Sequence, residues 1–206
     1  MKTAAASATF LFVCILGLGA TPALAQGVTQ GDAARGEALG YTCMGCHGIE
    51  GQRNAYPSFR VPKLGGQKAA YIEAALLGYR DGDRGHSTMH AQAASLSEQE
   101  IKDLAAYFAT LGTATVEAGG SQTDGIPEAA NCVACHGPNG IAVQPQWPTL
   151  AGQHEDYLVH ALKQYRDGVR KNAIMAPFAQ ALSDADIKRL AQYYASLEGL
   201  ETTLKE

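Results

Sequence analysis

Cys43-Met44-Gly45-Cys46-His47 and Cys132-Val133-Ala134-Cys135-His136 decide how this chain is built. Each is a C-x-x-C-H, the pattern of covalent c-type haem attachment. Its two cysteines can form thioethers to the haem vinyl groups, and the adjacent His47 or His136 can then reach the iron from the proximal side. Four of the five cysteines fall into these two pairs, and a histidine follows each pair at once. A structural zinc site would need a second ligand pair at knuckle spacing, and neither copy has one. A thioredoxin-like dithiol should close a strand in a βαβ pattern, whereas both motifs lie in Ala/Gly-rich helical sequence. The pattern predicts two covalently bound haem c groups.

Outward from the motifs the chain repeats itself. At a spacing of 86 residues, Pro62 pairs with Pro148, Leu64 with Leu150, Gly66-Gln67 with Gly152-Gln153 and Tyr71 with Tyr157. Tyr79-Arg80-Asp81-Gly82 pairs likewise with Tyr165-Arg166-Asp167-Gly168, and Met89 with Met175. Two tandem domains are expected, at 26–112 and 125–206, with 113–124 as a Gly/Thr/Ser-rich linker.

Each copy reads as all-α. A short helix carries the haem motif, starting near Asp32 in the first copy. A Gly/Pro-rich loop follows at 48–66 or 137–152. A second helix spans 67–81 or 153–167 and ends at Gly82 or Gly168. A polar loop is expected to carry Met89 or Met175. The last helix opens at Ser97-x-x-Glu100 or Ser183-x-x-Asp186, in capping-box spacing. Its apolar positions Ile101, Leu104, Ala105, Phe108 and Leu111 recur at helical period, as do Ile187, Leu190, Ala191, Tyr194 and Leu197.

The first 25 residues read as an export signal: Met1-Lys2, an apolar run, then Ala23-Leu24-Ala25 as the cleavage site. Cys14 is a hydrophobe of that leader. No other run approaches the ~18 apolar residues of a membrane span, so a soluble, exported chain is expected, as c-type haem attachment requires, with peripheral membrane contact left open. Formal charge is −4, or −5 once Lys2 is removed, and Lys and Arg are scattered. That argues against a nucleic-acid partner.

The distal side of each iron needs a ligand. Met44 lies between two haem cysteines and is barred, leaving Met89 and Met175, one per copy at equivalent positions, with a methionine filling a core gap as the alternative. A thioether favours ferrous iron, and His/Met ligation raises the potential. His86 and His90 flank Met89 and keep a bis-His alternative open in the first domain; the second has no such rival. His154 and His160 face Lys68 and Ala74 in the repeat and read as surface or packing residues. Pro62 and Pro148 offer carbonyls to orient the proximal histidines, with an ordinary proline turn as the alternative. Leu64 and Leu150 would close the haem edge. Tyr79-Arg80 and Tyr165-Arg166 read either as donors to buried propionates or as solvated helix ends.

With C-M-G-C-H-G and P-K-L-G-G-Q in one half, and C-V-A-C-H-G and P-T-L-A-G-Q in the other, the chain resembles the di-haem cytochrome c4 family over essentially all of residues 26–206. The resemblance implies two class I cytochrome c domains about a pseudo-two-fold, with the haems close at their interface. It implies Cys43, Cys46, His47 and Met89 for one haem, and Cys132, Cys135, His136 and Met175 for the other. It implies a periplasmic electron carrier, not an enzyme, working from a bc1-type complex or a dehydrogenase to a terminal oxidase. A cytochrome subunit of a larger enzyme, such as flavocytochrome c sulfide dehydrogenase, is the alternative. A di-haem peroxidase would need a displaceable distal ligand, which the paired methionines oppose.

Overall fold

Asp32 starts the first helix as a side-chain cap, its carboxylate accepting from the Ala34 and Arg35 N–H groups. The computed structural model describes residues 30–112 and 126–202. The expected leader and the 113–124 linker lie outside them. Helix α1 (Ala33–Leu39) gives way at Gly40 to α2 (Tyr41–His47), which carries the first haem motif. Then come α3 (Ala69–Arg80), α4 (Ser87–Ala94) and α5 (Glu98–Thr110). The second half repeats the order: a 3₁₀ turn at Pro127–Asn131, α6 (Val133–His136), α7 (Glu155–Arg166), α8 (Met175–Gln180) and α9 (Asp184–Ser196). Among the described residues no strand forms. Isolated antiparallel bridges join the halves at Gly65–Glu201 and Arg84–Arg170. The fold is all-α, with two similar domains.

The single motif helix expected from Asp32 is two short helices. The methionines, expected on a polar loop, sit in the first turns of α4 and α8. These helices are short, and their periodicity is too weak to read. What starts them is a side-chain cap from three residues upstream. His86 Nδ1 accepts from the Met89 N–H at 3.2 Å, and Asn172 Oδ1 accepts from the Met175 N–H at 2.9 Å. His86 and Asn172 are repeat partners. Both expected capping boxes form, at Ser97/Glu100 and Ser183/Asp186.

Each domain has a small core of its own. Ile72 of α3 meets Leu104, Ala105 and Phe108 of α5; Leu158 of α7 meets Leu190, Ala191 and Tyr194 of α9. In the first domain α1 lies directly on α5, and Gly36 permits it: a Cβ there would stand 2.0 Å from the Asp103 carbonyl oxygen. Asp103 locks the contact. Its buried carboxylate accepts from the Asp32 N–H (2.7 Å), Gln99 (2.8 Å) and Arg35 (2.9 Å).

Candidate haem centres

On α2 the motif spacing sets the chemistry. Cys43 and Cys46 are one helical turn apart and His47 follows on the same side. α6 repeats the arrangement, with the His136 N–H bonded to the Cys132 carbonyl at 2.9 Å. Burial pushes the thiols of Cys43 and Cys132 up, the reverse of what an activated redox dithiol requires.

Both histidines are buried. His47 Nδ1 lies 2.8 Å from the Pro62 carbonyl oxygen, and His136 Nδ1 lies 2.8 Å from that of Pro148. A carbonyl can only accept, so the ring proton is on Nδ1 and the Nε2 lone pair is free to bind a metal. Burial holds both rings below the ordinary histidine range against the opposing effect of these bonds, which favours the neutral form a ligand needs. The proline carbonyls therefore take the orienting role rather than that of a plain turn.

A cavity of about 800 Å³ runs through both halves and touches both motifs. Met89 and Met175 line it together with His47 and His136, and so do Leu64 and Leu150. Leu104, Phe108, Leu190 and Tyr194 turn from the cores towards it, giving apolar walls suited to a flat macrocycle. His86 also lines it, but its ring is committed: Nδ1 accepts from Met89, so Nε2 carries the proton and donates to Asn54 Oδ1 at 3.0 Å. His90 is exposed and bonds through Nδ1 to the Tyr79 carbonyl. His160 stacks on Phe59 at 4.0 Å across the domain boundary, and His154 is buried, so both serve packing.

Of the two readings open for Arg80 and Arg166, the structure supports the solvated helix end, while Tyr79 and Tyr165 line the cavity. Arg80 pairs with Asp81, and Arg166 with Asp167 and Asp184, at the solvated helix ends. The guanidiniums in the cavity belong to Arg84 and Arg170, repeat partners that bridge the two domains. Arg84 lies 4.5 Å over the Tyr79 ring and bonds to Tyr157; Arg170 lies 4.5 Å over Tyr165 and bonds to Tyr71 at 2.8 Å. Both Nε–H groups are buried without a partner, and neither side chain pairs with a carboxylate among the described residues. Burial pushes the Tyr71 phenol up, yet the two guanidiniums outweigh that and hold it below its ordinary value. Two buried cations with free donors fit an anionic group entering the cavity, as haem propionates would. The signal was present as the repeated Asp-Gly-x-Arg, one turn beyond the pairs singled out.

A Cytochrome c family model matches residues 33–112 and 126–198. Cytochrome c4 of Pseudomonas aeruginosa is 35% identical over 185 residues, covering 81% of this chain and 89% of that protein. The thiosulfate dehydrogenase electron acceptor of Stutzerimonas stutzeri is 35% identical over 193 residues, covering 84% and 86%. The crystal structure of reduced recombinant cytochrome c4 from Pseudomonas stutzeri aligns with a TM-score of 0.64 at 32% identity, covering 82% of this chain and 100% of that one.

Proposed function

We propose a function for this chain from one premise: it belongs to the cytochrome c family, and within it to the di-haem cytochromes c4. It binds two covalently attached haem c groups and is an electron carrier. The finer proposal is that both irons are closed. His47 and Met89 would hold one, His136 and Met175 the other, with thioethers from Cys43, Cys46, Cys132 and Cys135. Each haem, when bound, supplies a one-electron ferric/ferrous couple. The residues around it hold it still. The proline carbonyls fix the proximal rings, His86 and Asn172 cap the helices that present the methionines, and Arg84 and Arg170 would neutralise the propionates. With no open position there is no bond chemistry to perform.

The observation that carries this reading is the duplicated pairing of a buried, carbonyl-anchored histidine with a methionine on one continuous cavity. We place the protein in the periplasm, exported by residues 1–25, with domains at 26–112 and 125–206. It takes electrons from a bc1-type complex or a dehydrogenase and delivers them to a terminal oxidase. The Stutzerimonas stutzeri relative's name favours a thiosulfate-oxidising dehydrogenase as one donor. Stopped-flow mixing tests both ends. The oxidised protein should be reduced fully, by two electrons per chain, by purified thiosulfate dehydrogenase with thiosulfate. The reduced protein should be reoxidised by membranes containing a haem–copper oxidase. Failure with the dehydrogenase but reduction by bc1-type membranes would move the donor, and failure of reoxidation would remove the oxidase.

A further inference from the structure

Gln67 and Gln153 are buried, at 4% and 5% exposure, and they are repeat partners. Each ends a tight turn, Leu64–Gln67 or Leu150–Gln153, closed by an N–H to carbonyl bond of 3.1 Å. Gly66 and Gly152 hold positive φ in it (79° and 75°), as a type II turn demands at its third position. The turns aim each side chain at the opposite domain. Gln67 Oε1 accepts from the Thr149 N–H (2.9 Å) and its Nε2 donates to the Thr149 carbonyl (3.0 Å). Gln153 does the same to Lys63, at 3.0 Å for each bond.

Thr149 and Lys63 directly follow Pro148 and Pro62. The peptide unit whose carbonyl anchors His136 is therefore the one whose N–H points at Gln67. His136 Nδ1–H bonds to the Pro148 carbonyl, and across the same peptide the Thr149 N–H bonds to Gln67. In the other direction His47, Pro62, Lys63 and Gln153 form the same series. An N–H that donates a hydrogen bond draws electron density into its amide and makes its own carbonyl a better acceptor, because chains of hydrogen bonds polarise one another. A better acceptor on Nδ1–H makes the imidazole a stronger donor to the iron, and such bonds set potentials.

We propose that Gln67 and Gln153 are positioning residues for the haem of the opposite domain, each holding and polarising the peptide that orients the other domain's proximal histidine. The relay rests on the reading of His47 and His136 as iron ligands. It makes each haem's potential depend on its partner domain being docked.

The test uses the full-length, haem-loaded protein. Both potentials are measured by spectroelectrochemistry, and each haem is assigned to its domain by NMR of the haem methyls. Gln67→Leu should raise the potential of the second domain's haem and leave the first unchanged; Gln153→Leu should do the reverse. Solvent exchange of the His136 Nδ1 proton should quicken in Gln67→Leu alone. No shift, a shift in the substituted domain's own haem, or equal shifts in both would overturn the relay. Should the leucine variants fail to fold, Gln67→Glu keeps an acceptor facing Thr149. It should lower the second potential more than the first, while an equal fall would reflect added charge alone and refute the proposal. The underlying ligation fails separately. If His136→Gly left the low-spin visible spectrum intact, His136 would not be a ligand, whatever the potentials did.

Discussion

Replacing Asp103 with alanine should loosen the first domain far more than its place on α5, outside either motif, suggests. The carboxylate is 2% exposed and gathers donors from three places: the Asp32 N–H that opens α1, Gln99 on α5, and Arg35 on α1. Arg35 is 58% exposed, so its ion pair is discounted to about 0.5 kcal/mol. The other two are bonds to a charged acceptor, each contributing about 1.5 kcal/mol at the low end of the usual range. The sum is about 3–4 kcal/mol, or a fall of about 15–25 °C in the midpoint of an 80-residue domain. Because α1 runs straight into α2, the loss is felt at Cys43 and His47. Differential scanning calorimetry of the haem-loaded variant, with the visible spectrum followed alongside, should show the first domain melting early and the second unmoved. Asp103→Asn retains one acceptor oxygen and should recover about half of the loss. Burial pushes the Asp103 carboxyl up, but its bonds outweigh that and hold it below the ordinary range. The stabilisation is therefore present above the unfolded value and disappears as pH falls through the folded one. A loss under about 1 kcal/mol, or melting of both domains together, would refute the role of Asp103 as the local lock.

Other outcomes follow from single groups. Burial, with Lys63 and Arg60 nearby, lowers His154 to about 4, against the weaker opposing effect of Glu50 and Asp156. The unfolded chain binds the proton first, so stability should be full above about pH 6.5 and decline towards pH 4. His154→Gln should flatten that decline in urea titrations, and an unchanged pH profile would contradict it. Among the described residues the buried Tyr194 hydroxyl meets no nitrogen or oxygen partner and faces only the weakly accepting Cys132 sulfur, and the repeat places Phe108 at the equivalent position. Tyr194→Phe should therefore be neutral or raise unfolding free energy by about 1 kcal/mol, and a destabilised melt would show that the Cys132 contact contributes after all. Met89→Ala and Met175→Ala should each lower one potential and open one iron. If neither altered the visible spectrum, the distal assignment would fall.

Local signals in the sequence were enough for much of this molecule. The motif spacing, the capping boxes at Ser97 and Ser183 and the apolar faces of α5 and α9 are short-range features, and each appears where expected. The repeat carried the rest of the architecture, since a matched methionine or proline in two copies is hard to explain singly. Most of what stayed hidden depends on the opposite domain. Arg84 and Arg170 look like helix-end charges until the two domains bring them into one cavity with Tyr71 and Tyr157. Gln67 and Gln153 matched in the repeat, but their targets lie 82 and 90 residues away along the chain. α4 and α8 escaped notice because a histidine and an asparagine start them, and only the fold shows those side chains turned onto the methionine N–H groups.

The most direct test is to reduce the purified haem-loaded protein, add carbon monoxide and record the Soret band. An electron carrier with both irons closed by histidine and methionine gives no change. A shift of about half the amplitude expected for two open haems would mean that one iron accepts an exogenous ligand, contradicting the paired His/Met reading and favouring catalysis at that haem.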